Sequence, residues 1–326
     1  MVGAVAGSVG ERVGAGVGDE RCTVTSSGQG QALSGDVCRT ERLERAVEAL
    51  RERFGPWIVY RLRDARPAVG ERSVPTGSLG LDRATGIGGV PRGRITEISG
   101  PPTSGKGTLA AHILANAQAD GGFAALIDAD HSADLDRLRA CGVDLEDLLL
   151  AVPRSAREAL DIASLLAASG GLDALVLSGA NALVRPPLGA PAAFASGLRR
   201  LVVELGGSPT AAVFLVHTDH SWRPGGNAAR ALAHAATLRV RCEPLRLLTH
   251  PSGEVLGLRL RAEAVKNKLA APHGWAEIEV LRERGINAAA EAFELGLAAG
   301  LVGDAPGSLG YVFNRIPLGR GRERAI

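Results

Sequence analysis

Gly100-Pro101-Pro102-Thr103-Ser104-Gly105-Lys106-Gly107-Thr108 is the stretch that decides the fold. It contains Gly-x-x-x-x-Gly-Lys, the spacing of a phosphate-binding loop. A strand from Arg94 to Ser99 leads into it, and a helical pattern from Gly105 to about Ala119 leads out. A strand, a glycine-rich turn and a helix are the context such a loop needs. Amides at the helix N-terminus cradle phosphate oxygens there, and the lysine neutralises the terminal phosphates. The residue after the lysine is Gly107, where a Ser or Thr hydroxyl normally takes Mg²⁺. Thr108 lies one residue on, about 100° round the helix, and does not substitute directly. Two readings stay open at this point: a nucleotide phosphate site, or a structural relic of one.

Lysine usage sharpens the choice. The chain holds three lysines among 37 basic residues: Lys106 in the loop, then Lys266 and Lys268 in Val265-Lys266-Asn267-Lys268. Lysine is a compact point charge and arginine a planar fork, so they do not exchange freely at a tight phosphate site. Chance placement is the bland alternative.

Outward from the loop the pattern is α/β. Phe123 to Asp128 reads as a buried strand ending in acid, and Leu148 to Val152 as another. Ala156 to Ala168 is a helix, Ala174 to Leu177 a strand, Ala192 to Leu205 a helix, and Ala211 to Val216 a strand. Near-continuous apolar strands alternating with helices predict a parallel sheet covered on both faces. Leu238 to Arg241 and Leu256 to Arg261 alternate apolar and charged residues, as antiparallel strands do. Ligands in such folds bind beyond the carboxyl ends of the parallel strands, where Gly100, Asp128, Ser178 and His217 fall. On the N-terminal side, residues 1–36 are rich in Gly, Ala, Val and Ser without period and read as a disordered tail. A helix follows, with Thr40 as its N-cap, an apolar face of Leu43, Val47, Leu50 and Phe54, and Glu41 four residues before Arg45. Gly55-Pro56 ends it, and Trp57 to Tyr60 reads as a short strand. This arm is too small to fold alone and needs a core or a neighbouring subunit to dock on.

Composition excludes several classes. Hydrophobic residues make up 45% and charged residues 22%, which is a globular balance, and aromatics are only 3%, so Leu, Val, Ile and Ala must build the core. The net charge of +2 gives no general signature of nucleic-acid binding, so a DNA site has to be local. Four scattered cysteines and the lack of a secretory signal predict free thiols and a cytoplasmic location. No stretch approaches the roughly 18 apolar residues of a membrane span. The nearest histidine pair, His217 and His220, has no zinc-site context, and no metal site is assigned.

Beyond the loop, several blocks carry a resemblance. They are Val74 to Asp82, Gly88 to Arg94, Leu126 to His131, Gly225-Gly226-Asn227-Ala228, Val265 to Pro272 and Gly285-Ile286-Asn287. In that order they resemble the RecA recombinase family across about residues 40 to 320. The resemblance implies a RecA-like P-loop NTPase core, mainly parallel with added antiparallel strands and a short N-terminal helix-strand arm. The corresponding division is a tail at 1–36, an oligomerisation arm at 37–70, a nucleotide-binding core at 71–284 and a truncated C-terminal region at 285–326. The family's later helical part and acidic tail are absent. Family membership implies ATP as cofactor, single-stranded DNA as partner, self-association into filaments or oligomers, and a place in DNA recombination, repair and the SOS response to DNA damage.

Site residues carry over unevenly. Residues Gly100 to Thr108 match the nucleotide loop, and Asp134 matches an acid that contacts adenine. Lys266 and Lys268 match a pair that reaches a neighbour's ATP. Asp130 stands in place of a glutamate that polarises the attacking water, one methylene shorter. Ser178 stands in place of the acid at the end of the second nucleotide-binding strand. With Gly107, that removes two groups expected to hold Mg²⁺. His217 replaces a glutamine that senses the terminal phosphate, and Arg137 and Arg282 replace aromatics flanking the base. Both DNA loops are short; the first is proline-rich, and the second offers Trp222-Arg223 before Gly225, Gly226 and Asn227, a stacking face beside a charge. Two functions follow. One is a recombination and repair protein that binds ATP and DNA with hydrolysis weak or lost. The other is a non-enzymatic scaffold or regulator in DNA damage tolerance, partnering a true RecA or a translesion polymerase.

Overall fold

The structure is a computed structural model that describes residues 34–55, 59, 73–119, 121–184, 191–218, 226–304, 310–314 and 316–320, with backbone only at 34–38, 304 and 320. The chain forms two compact units, Met1–Pro67 and Ala68–Ile326.

The first unit is built on helix α1 (Ser34–Phe54). The expected Glu41–Arg45 pair forms at 3.9 Å. Thr40 is not an N-cap, because the helix starts at Ser34 and runs straight through it. Gly55, at φ 100, ends the helix in a conformation that needs no Cβ. Of the tail expected at 1–36, residues 1–33 lie outside the described residues, and Ser34 to Asp36 belong to α1 instead; apart from Val59, the strand expected at 57–60 also lies outside them.

In the second unit, β1 (Ser73–Val74) pairs with β2 (Val90–Pro91) around α2 (Leu79–Thr85). Then come β3 (Arg94–Gly100), α3 (Lys106–Gln118), β4 (Ala124–Asp128), α4 (Leu135–Ala140), β5 (Leu149–Ala151), α5 (Ala156–Ala168) and β6 (Ala174–Ser178). They are followed by α6 (Pro191–Leu205), β7 (Ala211–His217), α7 (Asn227–Ala235), β8 (Leu238–Thr249), β9 (Val255–Asn267), β10 (Trp275–Leu281), β11 (Gly285–Ile286) and α8 (Ala288–Ala298). Last come the strands β12 (Val302–Asp304), β13 (Gly310–Phe313) and β14 (Ile316–Arg320), a small separate sheet.

Nine strands form one sheet in the order β11-β10-β9-β8-β3-β7-β6-β4-β5. Neighbours from β5 to β8 run parallel, and β8 to β11 form an antiparallel meander. Successive strand residues point to opposite faces, so each apolar strand feeds two cores. Leu126, Val176 and Val213 pack with Leu109, Ile113 and Leu114 of α3 on one face. Ile127, Leu175 and Phe214 pack with Leu160 of α5 and Phe194 of α6 on the other. Phe194 meets Phe214 edge-on, ring centroids 6.5 Å apart, in the orientation aromatic quadrupoles favour.

Three expectations need correction. Leu148 to Val152 is not a buried strand: β5 closes one sheet edge, and Leu149 and Leu150 are 50% and 47% exposed. A half-covered edge strand carries the same short apolar run as a buried one. Phe123 is exposed and precedes the strand that begins at Ala124. Leu238 to Arg241 is antiparallel only to β9; its other edge runs parallel to β3. Its alternating charges reflect one such contact, the fork of Arg239 on buried Glu97 at 2.8 and 2.9 Å.

The block Val74 to Asp82 and the turn Gly285-Ile286-Asn287 serve one purpose. Gly77 and Gly285 both pack on His112 of α3, where an added Cβ would fall 2.8 Å from its Cβ and 2.2 Å from its ring Nε2, respectively. Both glycines also have positive φ. Asn287 caps α8, whose Glu291 accepts hydrogen bonds from Ser78 Oγ at 2.5 Å and Leu79 N at 3.0 Å. Beside it Asp82 accepts from Thr76 N and Oγ1 at 2.9 and 2.6 Å. Burial pushes Asp82 up to about 6, against the opposing pull of the Thr76 bonds, and burial likewise raises Glu291. The native state therefore holds the Asp82 proton more tightly than the unfolded chain does. Its stabilising contribution is complete below about pH 4 and is lost as pH rises through about 6. Asp82→Asn keeps the acceptor and removes the charge. We expect it to match the parent near pH 4 and to exceed it by roughly 2–3 kcal/mol at pH 7. Denaturant unfolding at the two pH values checks this, and equal differences at both would refute it.

Candidate functional site

The loop after β3 is shaped by close approach. A Cβ on Gly100 would lie 2.3 Å from the Cys242 carbonyl oxygen, so only glycine lets β3 end against β8. Gly105 has φ 82, and a Cβ there would meet Leu260 Cδ2 at 2.4 Å. Thr103 also takes positive φ, at 60, and its hydroxyl donates to Pro102 O at 2.7 Å. Ser104, fully buried, donates its amide to Pro101 O at 3.3 Å. The first intrahelical bond of α3 runs from Leu109 N to Gly105 O at 3.0 Å. The amides of residues 105 to 108 precede it, and these are the donors a helix start leaves for an anion.

Lys106 is 5% exposed, and its Nζ donates to Pro101 O at 2.6 Å and Ser104 Oγ at 3.2 Å. Burial pushes the ammonium down to about 8, partly offset by the neighbouring Cys242. Burial in turn pushes the Cys242 thiol up to about 12. A buried ammonium held only by neutral oxygens is poised for an anion.

The loop forms one wall of a cleft of about 640 Å³, within the range of small-ligand sites. Among the residues facing it are Lys106, Thr108, Asp134, Arg137, Ser178 and His217. Strand register explains why they meet: Gly100 pairs with His217 and Asp128 with Ser178, and Leu177 pairs with Phe214, so the parallel strands end within two residues of one another. Asp134 caps α4 by accepting from Arg137 N at 2.9 Å. His217 is held by its backbone, which exchanges two bonds with the Asn181 amide at 2.8 and 3.0 Å.

Positions 107 and 178, which the resemblance links to a metal, are distinctive. A Cβ on Gly107 would meet nothing within 4 Å, so the missing side chain leaves open space. Ser178 Oγ lies 3.3 Å from Ser132 Oγ, which in turn donates to Asp130 Oδ1 at 2.7 Å. Both oxygens of the buried Asp128 carboxylate accept amides, from Ser132 and Ala133. Asp130 packs on Gly179, whose φ of 70 and absent Cβ make room for it. Among the described residues no group of three or more His, Cys, Asp or Glu side chains is placed to hold a metal ion.

Lys266 and Lys268 are not at this cleft. Lys266 Nζ donates to Ala233 O at 2.5 Å and Lys268 Nζ to His234 O at 3.2 Å, both carbonyls of the last turn of α7. Cations are favoured at that helix end. Asn267 between them anchors the turn, donating to Thr85 O and accepting from Leu269 N and Ala270 N. At the other end of α7, Gly226 is the N-cap and Asn227 the first residue. Trp222, Arg223 and Gly225 lie outside the described residues.

The family model of the RecA N-terminal domain matches residues 41–188. Protein RecA of Thermus thermophilus is 37% identical over 310 residues, covering 89% of this chain and 89% of that protein. The chain belongs to the RecA family. Other RecA proteins align at similar length. That of Nitratidesulfovibrio vulgaris is 37% identical over 313 residues, covering 90% of this chain and 86% of that protein. That of Chlorobium chlorochromatii is 34% identical over 308 residues, covering 88% and 86%. The α/β RecA-like fold read from the sequence is thereby established, with its parallel core and antiparallel extension.

Sequence reasoning missed four contributors within this RecA-like site: Ser132, Gly179, Asn181 and Cys242. Ser178-Gly179 after an apolar strand was a usable signal for the second. Nothing local marks Cys242, which reaches the loop only because β8 lies next to β3.

Proposed function

We propose that this chain is a RecA-like recombination and repair protein. In this reading it binds ATP in the cleft at α3 and single-stranded DNA at the segment between β7 and α7, and hydrolyses ATP weakly or not at all. The observation that carries the reading is the contrast within one cleft. Lys106 and the amides at the start of α3 are intact, while Gly107 offers no oxygen and Ser178 shares its hydroxyl with Ser132. The loop residues Gly100 to Thr108 fit a nucleotide's phosphates. The residues at the two metal positions do not fit Mg²⁺. Phosphoryl transfer relies on positioning and on charge stabilisation, and the metal is central to both. Self-association agrees with the exposed apolar side chains of Leu43, Leu50 and Phe54 on α1. Contact with DNA falls to Trp222, Arg223, Gly225, Gly226 and Asn227, through stacking and phosphate charge. Lys266 and Lys268, at the end of the helix that follows, are assigned to a neighbouring subunit's nucleotide.

A second reading, the non-enzymatic scaffold or regulator partnering a true RecA or a translesion polymerase, is favoured by Asp130. Its carboxylate already accepts the Ser132 hydroxyl and is one methylene short for holding a water, a displacement that is costly for catalysis. ATP turnover measured with and without single-stranded DNA tests both. Absent or slow turnover without stimulation is expected, and robust DNA-stimulated turnover overturns the claim of lost hydrolysis.

A further inference from the structure

Arg137 is the least expected group in the cleft. It leaves α4 and its guanidinium is fixed by four contacts. Nε and Nη2 donate to Thr108 Oγ1 at 3.3 and 2.9 Å. Nη1 donates to Leu281 O at 3.0 Å and Arg282 O at 2.5 Å. Every one of these acceptors is neutral. Among the described residues Arg137 makes no ion pair, so four bonds hold its geometry and none cancels its charge. One of the five N–H groups of its guanidinium is still uncommitted.

Its position gives the charge a purpose. Thr108 sits on the first turn of α3, where the amides of an anion cradle converge. Its oxygen accepts from Arg137 and keeps its own O–H to donate. The charged residues lining the cleft are Lys106, Arg137 and Arg282 against Asp134. That is three positive groups and one negative, a surplus of two positive charges. A site that recruits a divalent cation collects carboxylates to hold it; this one has lost an acid at position 178 and holds a rigid cation instead.

On the reading of this cleft as a nucleotide site, we propose that Arg137 neutralises phosphate charge in place of a metal ion, so that ATP and ADP bind without any divalent cation. Arg137 is then a binding residue for the nucleotide's phosphates, coupled to them through the Thr108 hydroxyl and its remaining N–H.

Titration calorimetry on the full chain tests this directly, with ATP and with ADP, in EDTA and in excess Mg²⁺. The dissociation constants in the two media should agree within about threefold. Arg137→Met should weaken binding in EDTA by about 10- to 100-fold, the loss of one charge-assisted contact. Arg137→Lys should recover part of that loss, since it restores charge without the fork. Thermal unfolding of each variant confirms that the fold is retained. Binding that requires Mg²⁺ overturns this inference and leaves the nucleotide reading standing, and no binding in either medium overturns both. Unchanged affinity in Arg137→Met, or equal losses in the Met and Lys variants, also refutes the role of the charge.

Discussion

Lys106→Ala weakens ATP binding by about 10- to 100-fold, because it removes a charge-assisted bond worth about 1.5–3 kcal/mol. It also removes a pH dependence that the parent should show. The buried ammonium loses its proton at about 8 in the empty cleft. A phosphate beside it favours the charged form and raises that value. Binding above pH 8 must therefore take up a proton. The parent's affinity is flat below about pH 8 and falls by about tenfold per unit above it. The alanine variant is weak and flat across the same range. Calorimetry at several pH values separates the two profiles. A parent whose affinity stays constant to about pH 9.5 would show that Lys106 is not the group that meets the phosphates.

Gly107→Thr combined with Ser178→Asp is the second large effect, and it acts in the opposite direction. Position 107 has open space for a side chain, and threonine is a better helix residue than glycine there. Position 178 ends β6 beside Asp128, at the level of the cleft. An aspartate placed there brings two carboxylates close and gives them a reason to hold a divalent cation. Turnover with ATP, Mg²⁺ and single-stranded DNA should rise on the order of 100-fold over the parent, while either single change leaves it low. The same double variant should be stabilised by Mg²⁺ in thermal unfolding, and the parent should not. If the metal stabilises the variant but turnover stays flat, metal loss is not what silences the site, and the short side chain of Asp130 becomes the barrier.

The core was legible because its signals are local and redundant. Ala174 to Leu177 and Ala211 to Val216 are continuous apolar runs, and each is flanked by helical periodicity. β5 misled for a physical reason. A half-covered edge strand and one that is fully enclosed have the same composition, and only strand order distinguishes them. β8 shows the same limit, since one strand with a parallel and an antiparallel neighbour has no single sequence signature. In the site, Gly100, Gly105 and Lys106 could be read from spacing alone, because a tight turn and a phosphate need those residue types. Arg137 was visible only as a substitution. Two of its four contacts go to Leu281 and Arg282, more than 140 positions away, and no periodicity encodes that meeting.

Helix α7 has a further consequence as a piece of mechanics. Its nine residues span about 13 Å, cross-linked turn by turn, so it is stiff along its axis. Gly226 and Asn227 stand at one tip, and both lysine side chains grip the carbonyls at the other. A strut gripped in this way has no slack to take up displacement. On the proposed function, any shift of the Gly226 tip as a strand of DNA settles against it moves the carbonyls that tether Lys266 and Lys268. The two ammonium groups are then loosened or presented together, a mechanical transmission in which no hydrolysis is needed for one end of the helix to report to the other.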